Sequence, residues 1–453
     1  MYETLLAVQK EHVFTGATKA VAYRKQQLQK LKTMLQTYEK ELLSALRADL
    51  NKQEPEARMV EMAFLHQEID LALESIDEWV KPMKVKTPTS HAGSKSWVAT
   101  EPYGSVLIIS PWNYPIQLTF APLIGALAAG NAAVLKPSEL TPRTSSIMAA
   151  AVRATFPKEL VTVVEGDAKT AETLLNLPFD SIFFTGSAAV GKIVLEKAAK
   201  HMTPCTLELG GKSPVIVDGE AKLKLAAKRI AWGKFLNAGQ TCIAPDYALV
   251  DEDVYEPFLE QLKTQTYTLF SDKTKEGTYT QIVNDKHFER LRRYLDNGHI
   301  ALGGQISPQA RLMSPTILTN VPWDAPIMQE EIFGPILPVF RYKTPAEAIQ
   351  KVRSLPNPLA LYVFSENERV QRLFTEQLSF GGGCINDTLM HAANPYLPFG
   401  GKGASGIGAY HGYESFRTFS HQKSLLKQST TFDVPFRYKQ GKIANTFIRN
   451  ICK

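Results

Sequence analysis

Cysteine is scarce in this chain. Four occur in 453 residues, Cys205, Cys242, Cys384 and Cys452, with no CxxC pair and no regular spacing. That excludes a disulfide framework and a cysteine zinc centre, and it fits a reducing, cytoplasmic compartment. The nine histidines include no HxxxH pair, so no metal site is expected. An excess of one charge is lacking too. The net +6 is small for this length and no basic run is dense, which leaves no case for nucleic acid. The opening "MYETLLAVQKEHVF" lacks the basic-then-apolar build of a secretory signal. One long stretch, Pro102 to Leu135, carries no charge, yet Pro111, Pro115 and Pro122 interrupt it, with Asn113, Gln117 and Asn131 between. Lipid would leave the interrupted backbone unsatisfied, so the stretch reads as a buried strand–loop–helix–strand unit, not a membrane span.

With 44% apolar and 21% charged residues the composition is that of a soluble globular protein, and the length predicts two or three domains. Between Thr15 and Val80 the pattern is helical. Leu28, Leu31, Leu35, Leu42 and Leu46 recur at three-, four- and seven-residue steps, as an amphipathic layer requires. A polar stretch rich in Pro, Ser and Thr follows, suited to a linker or an exposed hairpin. From Gly104 short apolar runs ("SVLIIS", "AAVLKPS", "VTVVEG", "SIFFTGS", "TPCTLELGG") alternate with helical segments, and a second such series begins after Gly211. The predicted fold is therefore α/β, with two doubly wound parallel-sheet domains and a small extended arm.

Several residues stand where chemistry is expected. "SIFFTGSAAVGKIV" is a strand, a turn at Gly186 and a helix beginning near Ser187, an arrangement that favours a pyrophosphate, although a glycine also simply ends strands. "VLKPSE" puts Lys136 and Glu139 just past another strand. They suit ribose or phosphate groups, and a solvated loop pair fits the local pattern equally well. Glu208 in "LELGGKSP" sits among apolar neighbours. Such a carboxylate either has a raised pKa, as a general base needs, or is hydrogen-bonded to a neighbouring loop. Asn113 in "SPWNYP" can donate to an oxyanion or serve a turn. Cys242 lies in "GQTCIAP", among turn formers, where a packing role is the poorer reading. A thiolate is the natural nucleophile for a carbonyl carbon.

Taken together, "PWNYP", "LKPSE", "FTGS", "LELGGKSP", "GQTC", "EEIFGP" and "PFGGKGASG", in that order from residue 111 to 406, resemble the aldehyde dehydrogenase superfamily. "WGKFLNAGQTCIAPDY" and "GAYHGYESFRTFSHQKSLL" resemble its class 3 branch, which includes enzymes for fatty and aromatic aldehydes. The resemblance implies that Cys242 attacks the aldehyde while the Asn113 amide and the Cys242 N–H hold the oxyanion. After hydride transfer, Glu208 activates the water that hydrolyses the thioester. It further implies NAD as cofactor, with NADP also accepted. Lys136 and Glu139 would lie at the adenine ribose, Gly186 and Ser187 at the pyrophosphate, Glu331 at the nicotinamide ribose and Phe333 by the ring. Tyr114 and His391, beside matched motifs, are expected along the aldehyde channel.

The implied domains are a cofactor domain (1–80 and 102–207, with 403–420 returning to it) and a catalytic domain (208–402). A bridging arm (81–101 and 421–440) and a tail (441–453) complete the chain, and a homodimer is expected. Two rival readings remain at this stage, an acylating enzyme that passes the thioester to coenzyme A and a crystallin-like protein without turnover. Glu208 argues against the first, and an intact nucleophile, base and oxyanion donor against the second. In the tail, Ile443, Phe447 and Ile451 would share one helical face. A docked helix is expected there, with a channel cover or membrane contact as the alternative.

Overall fold

A computed structural model describes residues 2–91 and 93–431, and beyond them only positions 433, 438, 441, 445, 446 and 449. The apolar face expected of the tail, and Cys452, thus lie outside the described residues. The leucines at 28, 31, 35, 42 and 46 are all fully buried, on two helices, Val21–Thr37 and Glu39–Leu50, separated at Tyr38. A π-helical turn, Arg58–Met62, leads into a further helix, Ala63–Trp79.

A six-stranded sheet runs in the spatial order Gly406–Ile407, Cys205–Glu208, Ser181–Thr185, Ser105–Ile109, Ala132–Lys136, Val161–Val163. Its three central strands are buried along their whole length, as a sheet covered on both faces requires. Chain order reverses between Ser105–Ile109 and Ser181–Thr185, so a crevice opens at their carboxyl ends. The uncharged stretch supplies two of these strands and the helix between them, Pro115–Ala129. Among the described residues no helix is long and apolar enough to cross a membrane.

The second sheet has seven strands, in the order His299–Leu302, Thr316–Thr319, Ile336–Tyr342, Tyr247–Asp251, Pro214–Val217, Ala360–Phe364, Gly382–Ile385. Both large sheets depart from all-parallel pairing at one edge, where His299–Leu302 and Gly406–Ile407 run antiparallel. An edge strand reached without a crossover helix is free to pair this way. A third, antiparallel sheet joins Met83–Val85, Lys95–Pro102 and Ser420–Lys427. The polar stretch after Val80 therefore forms a hairpin.

Candidate active site

The helix Leu223–Phe235 stops short of Cys242 in a tight turn where Asn237, Ala238 and Gly239 all take positive φ, at 53°, 53° and 70°. Such values for Asn and Ala store strain, which persists only where the surroundings over-determine the backbone. Here they do. The Asn237 amide donates to the carbonyls of Asn113 and Gln240, both at 3.1 Å, and its backbone N–H donates to Glu56 at 3.0 Å. The Gln240 side chain donates to Asn237 and Gln281 and accepts from the Val283 N–H. Just beyond the thiol, the Tyr362 hydroxyl donates to the Ile243 carbonyl at 2.7 Å. Cys242 is thus presented, half-buried, by a loop with little freedom to move.

Asn113 is only 2% exposed, and its amide donates to the Gln240 carbonyl at 3.0 Å. The second amide hydrogen has no acceptor among the described residues. Next to it, the buried Tyr114 hydroxyl meets Thr241 Oγ1 at 2.6 Å. Glu208 ends its strand fully buried, with both carboxylate oxygens unpartnered, and burial pushes its pKa well above the usual carboxylate range. The Cys242 thiol is likewise pushed up, first by burial and then by the nearby Glu331 and Glu208 carboxylates, while its own N–H and that of Ile243 favour the thiolate. Nucleophile candidate, base candidate and Glu331 therefore share one electrostatic environment.

Glu331 is raised to about 8, chiefly by burial and then by Asp246, against a hydrogen bond from the Gly211 N–H and the charges of Lys212 and Arg290. A Cβ on Gly210 would land on this carboxylate, which explains a glycine there. Arg290 donates to the carbonyls of Glu331 at 3.0 Å and Ile332 at 2.7 Å. The buried Lys212, paired with Asp246, holds the carbonyls of Ile327 and Glu330, while Asp246 accepts from the Ile332 N–H. Phe333, at φ 46°, meets the Trp112 ring edge-on at 5.4 Å between centroids.

On the crevice side, Lys136 ends its strand 2% exposed, donating to the Pro137 carbonyl at 2.8 Å and standing 3.6 Å from the half-exposed Glu139 carboxylate. Burial lowers the Lys136 pKa. A Cβ on Gly186 would come within 2.5 Å of the Phe184 ring. Ser187 caps the helix Ala188–Ala199, its hydroxyl accepting from the Val190 N–H. A crevice with a glycine turn, a capped helix N-terminus and a sequestered amine suits an anionic dinucleotide, and the orphaned Glu331 Oε1 suits a ribose hydroxyl. The residues present therefore fit a nicotinamide cofactor.

His391 stands apart from this group. Its Nδ1 lies 3.4 Å from Cys384 Sγ, its ring stacks on Phe399 and meets Tyr362 edge-on, and burial lowers its pKa to about 4. Tyr362, which meets the His391 ring and donates to the Ile243 carbonyl, links it to the Cys242 loop. Cys205, half-buried at the start of its strand, is raised to about 11 by burial. The described cysteines, Cys205, Cys242 and Cys384, are all free, and no group of three metal-ligating side chains occurs among the described residues. Sequence reasoning missed Glu56, Asn237 and Gln240, which hold the loop, and Lys52 and Glu61, which hold the Asn113 segment. No local motif surrounds Lys52, Glu56 or Glu61, whereas Asn237 and Gln240 lay within a quoted stretch.

A model of the "Aldehyde dehydrogenase family" matches residues 9–425. The 4,4'-diaponeurosporen-aldehyde dehydrogenase of Staphylococcus aureus (strain NCTC 8325 / PS 47) is 47% identical over 422 residues, 92% of either chain. The rat "Aldehyde dehydrogenase, dimeric NADP-preferring" is 43% identical over 416 residues, again 92% of either chain. Among solved structures, the substrate-bound state of Staphylococcus aureus AldH superposes with a TM-score of 0.97 at 45% identity, covering 100% of both chains.

Proposed function

The chain belongs to the aldehyde dehydrogenase family, in the branch whose relatives carry the family 3 designation, and on that premise we propose a residue-by-residue mechanism for its oxidation of aldehydes to acids. The observation that carries it is the grouping of the Cys242 thiol with the Asn113 amide and two buried carboxylates of raised pKa. Burial keeps the resting thiol protonated, so its proton leaves as it adds to the aldehyde, and burial also makes Glu208 and Glu331 stronger bases than ordinary carboxylates. Cys242 adds to the aldehyde carbon, and the free Asn113 N–H with the Cys242 N–H stabilises the oxyanion. A bound nicotinamide supplies the hydride acceptor. Glu208 then takes a proton from water as that water attacks the thioester. Tyr114 lines the aldehyde channel, and His391, packed on Phe399 and Tyr362, shapes it from behind.

Lys136, Glu139, Gly186 and Ser187 hold the adenosine end of the cofactor, and Glu331 and Phe333 its nicotinamide end. The proposed domains follow this division, with 1–80, 102–207 and 403–420 serving the cofactor and 208–402 the thiol. Glu139 favours NAD, because a 2′-phosphate would meet its charge, and the neighbouring Lys136 keeps NADP usable. The substrates are medium- or long-chain aliphatic or aromatic aldehydes, a reading supported by the S. aureus relative's name. Exposed Met83, Val85, Leu425 and Leu426 on the three-stranded sheet suit a second copy of the chain, and three free thiols suit the cytoplasm.

The test is cofactor reduction followed by absorbance, with a long-chain and an aromatic aldehyde, NAD or NADP, and no coenzyme A. Wild type should turn over and Cys242→Ala should lose at least about a thousandfold. Equal rates would remove Cys242 from the mechanism. Turnover only after coenzyme A is added would point to acylating chemistry.

A further inference from the structure

We propose that Lys52 and Glu61 form a buried positioning pair that sets the Asn113 amide, an inference resting on the oxyanion role just proposed. Both side chains are 0% exposed, with Lys52 Nζ 2.6 Å from Glu61 Oε1. Lys52 follows the left-handed cap, Asn51, that ends the helix Glu39–Leu50. Glu61 lies in the π-helical turn Arg58–Met62, a distortion that recurs at functional sites because it re-aims a side chain.

Among the described residues, the further hydrogen bonds and ring contact of the two side chains fall on one short segment. Lys52 Nζ donates to the Asn113 carbonyl at 2.8 Å and lies 4.3 Å above the Tyr114 ring. Glu61 Oε2 accepts from the N–H groups of Ile116 at 2.9 Å and Gln117 at 3.4 Å. These are orphan donors of the first turn of Pro115–Ala129, whose N-cap, Tyr114, makes no side-chain cap. The pair therefore grips residues 113 to 117 at both ends. A buried ion pair adds little net stability, since desolvation offsets its attraction. Fold stability alone is thus a poor reason for a lysine and a glutamate at this place. What the grip does is fix the peptide behind Asn113, with Asn237 holding the same carbonyl from the Cys242 side. The amide then stays on the Gln240 carbonyl and keeps its second hydrogen for the substrate oxygen. Preorganisation of that kind is what an oxyanion donor contributes to rate.

The variants are Lys52→Met, Lys52→Met/Glu61→Gln, Asn113→Ala, and Asn113→Ala combined with each. The double change leaves no unpaired buried charge and keeps an acceptor for Ile116, so it carries the comparison if Lys52→Met alone does not fold. Turnover is expressed per Cys242 thiol alkylated by iodoacetamide in the folded fraction isolated by size exclusion, so misfolded protein does not count. The Cys242 peptide is followed by mass spectrometry, because Cys205 and Cys384 are also free. Lys52→Met and the double change should lower kcat about ten- to a hundredfold, short of the roughly 10²–10³ for losing an oxyanion donor outright. Aldehyde KM and the alkylation rate of Cys242 should stay within about twofold of wild type, and in the Asn113→Ala background the added loss should be under about twofold. Per-thiol turnover within twofold of wild type would overturn the inference, as would losses that multiply with Asn113→Ala. Wild-type turnover in Asn113→Ala itself would remove the oxyanion reading, and this inference with it.

Discussion

At the crevice edge of the six-stranded sheet, Lys136, Glu139, Gly186 and Ser187 stand at or just past strand ends, and Glu139 and Ser187 reach solvent. Around Cys242 almost everything is buried, and the loop is held by residues as distant in sequence as Glu56, Asn113 and Gln281. The first region is built from local grammar, in which a strand ends, a glycine turns the chain and a helix begins. The second is built from long-range hydrogen bonds that hold strained backbone and buried charge in place. Replacements at the edge should therefore change affinity by modest factors, whereas replacements in the pocket should change the chemistry.

The sharpest test of that contrast is Glu208→Gln. We expect kcat to fall by about 10²–10⁴, because an amide cannot take a proton from water. A burst of roughly one equivalent of reduced cofactor should persist in stopped-flow, since thioester formation precedes the lost step. In wild type, kcat should rise with pH through a limb displaced upward from the ordinary carboxylate range, because the base works deprotonated and burial raises its pKa. The same limb in the Gln variant would assign it to another group, and Glu331 would be the first to examine.

At the edge, Lys136→Ala should raise cofactor KM by about tenfold, the worth of one charge-assisted hydrogen bond, with kcat within about twofold. Glu139→Gln should shift the NADP-to-NAD preference by about fivefold toward NADP, as removal of one partly screened like charge would. A large kcat loss in either would break the division between affinity and chemistry.

The smallest effect concerns Glu68, buried on the helix Ala63–Trp79, which accepts from the Gly412 N–H at 2.9 Å and leaves Oε1 unpartnered. Burial raises its pKa from 4.5 to about 7. The folded state thus binds more protons than the unfolded one between those values, so its contribution to stability is complete below pH 4.5 and is lost as pH rises through 7. Glu68→Gln keeps an acceptor and does not titrate. Its melting temperature relative to wild type should therefore rise by about 2 °C between pH 5 and pH 8 in calorimetry. An unchanged difference across that range would mean that Glu68 is not held protonated.

Much of the architecture was legible in the residues themselves. Short apolar runs and helical spacing marked the strands and helices, and the buried leucines at 28, 31, 35, 42 and 46 follow directly from their spacing. The two antiparallel edges did not show, because strand direction at an edge leaves no mark on a run as short as Gly406–Ile407. In the site, "GQTC" and "LELGG" pointed to Cys242 and Glu208, whose turn-rich and apolar surroundings are unusual for those side chains. Lys52 and Glu61 escaped notice, since a lysine and a glutamate nine residues apart in a helical layer look like solvated surface.

Side-chain chemistry and short-range spacing therefore pointed by themselves to candidate reactive groups and to two α/β units, while the roles of those groups came from the family resemblance. Only tertiary structure decided how those groups are charged and aimed. A pKa such as that of Glu331, about 8, depends on burial and on Asp246, Lys212 and Arg290, which no local window contains. The strained turn before Cys242 likewise persists because its partners arrive from Glu56, Asn113 and Gln281. Desolvation and long-range hydrogen bonding are properties of the packed chain, and they come into being only when distant segments meet.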